Sequence, residues 1–448
     1  MKYPIPLCLL CCTLLSTGVL AQGTRARSEV RLDEVYATYD LSGEGVLVVM
    51  IDRGIDYHHP AFLKADGTTR LAYVFDMIND SGANAPDNPY GVGTIFDADD
   101  INGDLMTDGP PLSNDNHGHG TATTSIMAGN GGGANGVSFG GAAPEATIIS
   151  VKLVQDGFPA DGGSPGETGF FNPDYIAIAL QFARDKIEEL GLPSVTLLNI
   201  GSIGGPTDGS STVGRALTEF ATDHPFVCGV GDDGGVDNFA TGTVDQGETV
   251  NIRFQKSVLG NMDLDLWYPA DARFRVRLIT PNGTVIAPAS PGNNSSSTQE
   301  SGDNNNVTIW HHGADRDFWG STSDRREVFI RIADGVGPYT LELTGNTASN
   351  SLFQATINPG NFSRTNRFLD FGSNEGSIND YSASPGVVSP GDYVLNNSWP
   401  SALGSTFSIL NQGDPGELWL GSSKGPTQDG RLGIDFVAPG EVLYGAYS

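Results

Sequence analysis

Six apolar residues, Leu47-Val48-Val49-Met50-Ile51 with Val46 before them, run without a polar break into Asp52-Arg53-Gly54. A strand apolar on both faces must be covered on both faces, which is the pattern of a central strand in a parallel sheet flanked by helices. The surrounding sequence has the matching rhythm. Helix-like stretches at Thr121–Ala128 and Pro173–Leu190 alternate with β-branched runs at Thr147–Leu153, Val195–Ile200 and Phe226–Val230. An α/β domain with crossover helices follows from this alternation. The 60 glycines among 448 residues, about twice the usual share of about 7%, point to many tight turns and exclude coiled coils and long bundles.

Beyond Phe239 the period changes from a helix-and-strand alternation to one of two. Val250–Phe254, Leu264–Trp267, Phe274–Ile279, Val328–Ile332 and Tyr339–Leu343 read as half-buried antiparallel strands, interrupted by the polar tract Asn293–Asn306. This predicts an all-β sandwich inserted into the α/β domain. The α/β character returns near Val387 and includes a short strand ending at Val437-Ala438-Pro439-Gly440. The expected organisation is 1–21 as a signal peptide, 22–237 and 361–448 as two parts of one α/β domain, and 238–360 as the insert.

The signal peptide rests on Lys2, the apolar run Leu7–Leu15 and the small-residue site Val19-Leu20-Ala21 before Gln22. It predicts a secreted or periplasmic protein. The apolar run is shorter than the roughly 20 residues a spanning helix needs. Cys8, Cys11 and Cys12 lie within that leader, so the mature chain keeps Cys228 alone and forms no internal disulfide. The net charge is −29, from 24 basic and 53 acidic residues, which argues against nucleic acid or an anionic membrane as partner.

Two motifs carry polar chemistry. Asp52 stands at the carboxyl end of a buried parallel strand, the rim where α/β sheets place their sites. Taken alone, it serves most simply as a cap for the turn that follows. The second motif, Asp115-Asn116-His117-Gly118-His119-Gly120-Thr121, changes that balance, because glycines on either side of His119 let other backbone approach the ring at a helix start. A zinc site at His117 and His119 lacks further ligands at tetrahedral spacing, and no metal is predicted. The acidic group Asp97, Asp99, Asp100, Asn102 and Asp104 does not hold the register of a calcium loop, so turn and helix-capping roles are expected and no cofactor is assigned.

Together, Asp52 with Gly54-Ile55-Asp56 and His59-Pro60, then Gly118-His119-Gly120-Thr121, Ala143-Pro144-Glu145-Ala146, Ser422-Ser423-Lys424-Gly425-Pro426-Thr427, Asp429-Gly430-Arg431 and Ala438-Pro439-Gly440 resemble the subtilisin-like serine proteases. The insert, with Asp263-Leu264-Asp265-Leu266-Trp267-Tyr268 and Pro281-Asn282-Gly283, is similar to the jelly-roll insert of the spore-germination branch of that family. The resemblance implies a subtilisin-like parallel sheet flanked by helices and a secreted endopeptidase acting on polypeptides. It further implies an Asp-His-Ser triad in which Asp52 orients His119 and His119 takes the proton of the serine, leaving His117 to face solvent. The family's nucleophile stands in a Gly-Thr-Ser-Met-Ala segment after Ala-Pro-Gly, which is expected beyond Ser448, so the 448-residue chain is expected to be inactive.

Two further positions are carried over. Ser202-Ile203-Gly204 resembles the family's substrate-pairing edge strand, although counted from Asn199 it falls one position late. At Val230-Gly231-Asp232-Asp233-Gly234 the family usually reads Ala-Gly-Asn-Glu-Gly, and Asp232 replaces the asparagine that donates to the oxyanion. An ionised carboxylate only accepts hydrogen bonds and repels developing negative charge, and loss of such a donor costs about 2.7 to 4 kcal/mol of transition-state stabilisation. Asp232 therefore either works protonated, leaves the task to backbone donors, or weakens the enzyme. In the last case the alternative is a non-catalytic protein of the same fold that binds peptides or partners.

Overall fold

The computed structural model describes residues 25–132, 140–154, 174–201, 204–291, 297–304, 306–314, 317, 322–357, 366–400 and 405–447. They fall into two compact units. One comprises Met1–Asn199, Asp392–Trp419 and Val437–Ser448, the other Ile200–Gly391 and Leu420–Phe436.

In the first unit, β1 (Leu47–Asp52) lies at the middle of a parallel sheet, with all six residues buried. β4 (Thr147–Lys152) and β5 (Ser194–Leu198) flank it, both parallel, with Leu47 opposite Thr147 and Ser194. β2 (Leu71–Asp76) adds outside β4 in parallel, and β3 (Thr94–Asp97) pairs antiparallel at the edge. One face of the sheet packs on a cluster that includes Val48, Tyr57, Phe62, Val74, Ile101 and Ile148. Elsewhere in the unit the long helix Asp174–Leu190 buries Ile176, Ala179, Leu180, Phe182, Ala183 and Ile187, the spacing of a single helix face. Phe182 sets its ring 4.7 Å from that of Phe75 on β2. β2 and β3 lack the uninterrupted β-branched run that marks β1 in sequence, and sequence reading passed over them.

The acidic group near Asp97 is a helix start. The Asp97 side chain accepts from the backbone N–H groups of Asp99 and Asp100, and Asp100 returns the bond to the Asp97 N–H. This capping box opens the helix Ala98–Asp104.

The second unit contains two antiparallel sheets. One has β11 (Val285–Ile286), β10 (Arg273–Ile279), β15 (Gly337–Thr347), β8 (Thr249–Lys256) and β17 (Arg367–Phe368), in that order. The other has β12 (Thr298–Gly302), β13 (Val307–His311), β14 (Arg325–Ile332), β9 (Met262–Pro269), β16 (Ser351–Ile357) and β7 (Phe239–Val244). Alternate residues of both sheets form one core, among them Ile252, Phe254, Phe274, Val276 and Leu341 from the first and Leu264, Leu266, Tyr268, Val328 and Ile330 from the second. The fold is thus α/β with an added all-β sandwich. β12 lies in the polar tract that sequence reading took for a break between strands. As an edge strand with no fully buried residue it carries no apolar alternation to reveal it.

This unit also holds the helix Thr212–Asp223 and β6 (Phe226–Cys228). At the end of β6 and just past it the chain is tied down by Cys228 N–H to Val388 O at 3.0 Å and Val230 N–H to Pro390 O at 3.1 Å.

Candidate active site

The helix His119–Ala128 starts against the turn that follows β1, and glycine makes the approach possible. A Cβ on Gly120 would stand 2.1 Å from the Gly54 carbonyl oxygen and 3.3 Å from the Asp52 Cβ. Gly54 itself has φ of +112°, and a Cβ there would stand 2.4 Å from the Asn114 carbonyl oxygen. The two glycines therefore allow the two motifs to touch backbone to backbone.

That contact delivers His119 to Asp52. His119 Nδ1 lies 2.7 Å from Asp52 Oδ1. Asp52 is 1% exposed, and its carboxylate also accepts from its neighbour Arg53 N–H at 2.6 Å on Oδ1 and from Thr123 Oγ1 at 3.0 Å on Oδ2. A carboxylate is an acceptor only, so Nδ1 carries the shared hydrogen and Nε2 keeps its lone pair. The half-buried imidazole resists charge through desolvation, but the hydrogen bond and negative charge of Asp52 outweigh this and raise its pKa above the ordinary histidine value, with a smaller contribution from Asp115. The pair is a base held in one tautomer with a buried anion behind it.

Asp115, to which the sequence reading gave no role, organises this helix start. It is 2% exposed. One oxygen accepts from Gly118 N–H at 2.8 Å and His117 N–H at 3.2 Å, the other from Thr121 N–H and Thr121 Oγ1, both at 2.8 Å. The Thr121 hydroxyl in turn accepts from Asp56 N–H at 2.9 Å, which stitches the helix to the loop after β1. An acid three residues ahead of the cap glycine is the available signal: its side chain satisfies N–H groups that a glycine cap cannot.

His117 is exposed, with its ring centroid 6.3 Å from that of His119. Among the described residues no group of three His, Cys, Asp or Glu is placed to hold a metal ion.

The remaining candidates lie in the second unit. Asp232 is exposed on the loop after β6. Ser202 and Ile203 lie outside the described residues, whereas Gly204 is described and its carbonyl accepts from Trp267 Nε1 of β9 at 2.8 Å. Cys228 is buried, and desolvation pushes its thiol pKa up to about 12, so it is an inert packing residue.

Residues 43–166, which contain both Asp52 and His119, match the model of the subtilase family. A subtilisin-like protease of Arabidopsis thaliana, SBT2.2, is 31% identical over 169 residues, covering 34% of this chain and 19% of that protein. The chain therefore spans only about a fifth of that relative's length. Among solved structures, the Clostridium perfringens CspB protease superposes with a TM-score of 0.72 over 94% of this chain and 82% of its own, at 22% identity, a likeness of fold. The family match lies on the segment that builds the Asp52–His119 pair, and over residues 43–166 the chain is similar to the subtilase family.

Proposed function

We propose that the chain carries the aspartate and histidine of a secreted subtilisin-type serine endopeptidase, with the serine supplied by sequence beyond Ser448. The observation that supports this most directly is the 2.7 Å contact between His119 Nδ1 and the buried carboxylate of Asp52. In this reading His119 Nε2 removes the proton of the serine hydroxyl as its oxygen attacks the peptide carbonyl. The proton then passes to the leaving amine, which departs as the acyl-enzyme forms. Asp52 accepts the Nδ1 hydrogen throughout and stabilises the imidazolium. Residues 22–237 and 361–448 are the two parts of the proteolytic domain and 238–360 the insert, with Ser202-Ile203-Gly204 pairing with extended substrate. Secretion rests on the leader at 1–21; among the described residues no helix is long and apolar enough to cross a membrane.

A second reading is favoured by one observation, the exposed acid Asp232 where an oxyanion donor is expected. It makes the protein a peptide-binding member of the fold without activity. A fluorophosphonate probe separates the two. The gene product that continues into a Gly-Thr-Ser segment is expected to label, its His119→Ala variant is not, and the 448-residue chain is not. A folded gene product that contains the serine yet never labels would favour the binding protein.

A further inference from the structure

We propose that Ser423 is a positioning residue for Asp232, an inference that rests on reading position 232 as the oxyanion position. Ser423 is fully buried and touches the chain on both sides of Asp232. Its N–H donates to Gly231 O at 3.0 Å, and its hydroxyl oxygen accepts from Asp233 N–H at 3.1 Å. The peptide groups before and after residue 232 are thus held by one side chain and its own backbone. Asp232 between them stays exposed.

The neighbouring contacts continue the clamp. Asn379 N–H donates to Val230 O at 2.8 Å, Gly234 N–H to Gly421 O at 2.9 Å, Asn238 Nδ2 to Asp233 Oδ1 at 3.0 Å, and Gly235 N–H to Asn374 Oδ1 at 2.8 Å. Gly231 has φ of +105°, and a Cβ there would stand 3.0 Å from the Ser423 hydroxyl oxygen. Glycine at 231 is therefore what lets Ser423 come this close. An oxyanion group acts only if it is already aimed where charge develops, at about 2.7 to 3.1 Å, because a loop that must reorganise during the reaction loses most of the benefit. Ser423, whose N–H holds the peptide before Asp232 and whose buried hydroxyl holds the one after it, supplies that aim without contacting substrate.

Ser423→Ala deletes the acceptor for Asp233 N–H and leaves the Ser423 backbone bond to Gly231 in place. In the gene product that carries the serine nucleophile, the substitution is expected to lower kcat about tenfold with KM unchanged, the split of a group that acts in the transition state. Ser423→Cys, with nearly the same shape and a weaker acceptor, is expected to fall between. In an Asp232→Ala background, Ser423→Ala is expected to change kcat less than about twofold, because the side chain it aims is gone. Equal losses in the two backgrounds would show a general structural role and overturn the proposal alone. An Asp232→Ala variant with unaltered kcat would overturn the reading of position 232 and the proposal with it. Independently of catalysis, amide hydrogen exchange at Asp233 in the 448-residue chain is expected to accelerate at least about tenfold in Ser423→Ala while β6 keeps its protection. Unchanged exchange at Asp233 would overturn the clamp.

Discussion

His119 meets Asp52 through Nδ1 at 2.7 Å although 67 residues separate them in the chain. The contact predicts how His119 titrates. Its raised pKa means that the folded state holds the proton more tightly than the unfolded chain, where the value is about 6.5. The stabilisation from this pair is therefore fully present below pH about 6.5 and is lost as pH rises through the higher folded value. By NMR, the His119 ring in the 448-residue chain is expected to titrate above about 6.5. In Asp52→Asn the midpoint should fall below that, since desolvation remains and the anion is gone. A midpoint that Asp52→Asn leaves in place would sink the pairing.

Gly120 is the point of closest approach. With a Cβ 2.1 Å from the Gly54 carbonyl oxygen, Gly120→Ala forces the helix His119–Ala128 away from β1. The expected loss is at least about 1 to 3 kcal/mol of unfolding free energy by denaturant titration. The Asp52-dependent part of the His119 shift should weaken with it.

Asp115→Ala removes the acceptor for three backbone N–H groups and the Thr121 hydroxyl. A cost of about 0.5 to 2 kcal/mol is expected, as for loss of an N-terminal cap. Because the charge of Asp115 contributes to the raised pKa of His119, the same variant should also lower that pKa. A stability loss with no change in the titration would mean that the carboxylate acts on the helix alone.

Asp232→Asn gives the exposed position a side-chain donor that does not depend on protonation. On the proposed reading of position 232 as the oxyanion position, kcat of an active gene product is expected to rise with little change in KM, since an oxyanion donor acts in the transition state. Loss of activity in this variant would show that the carboxylic acid has a role of its own.

The second unit should carry a pH dependence of opposite origin. Asp380 is 4% exposed, and burial, opposed by the Thr207 N–H bond and reinforced by Asp208 and Asp317, pushes its pKa up to about 7. The unfolded value is about 3.9, so between these limits the folded state binds the extra proton and stability falls as pH rises. Asp380→Asn, which can still accept from Thr207 N–H, should flatten that slope. Denaturant titrations at pH 4.5 and pH 8 would measure it, and an unchanged slope would count against the buried acid as its source.

Local physics made much of the molecule readable in one dimension. The unbroken apolar run of β1 required cover on both faces, and the period of two exposed the sandwich strands from Thr249–Lys256 to Gly337–Thr347 within a few residues of their observed ends. Glycine around His119 marked a close approach of other backbone to its ring. The resemblance named Asp52 as the partner of His119, but only the tertiary structure gave the 2.7 Å geometry of that contact and the relationships no motif announced, Thr121 with Asp56 and Ser423 with Gly231 and Asp233. The fate of individual polar residues was decided there as well. Asp265, between Leu264 and Leu266 on β9, has the alternating place of a solvent-facing residue, yet it is 2% exposed, and burial drives its pKa well above the ordinary carboxylate range. Alternation assigns a side chain to a face of its strand, but only the packing of other segments settles whether that face meets water.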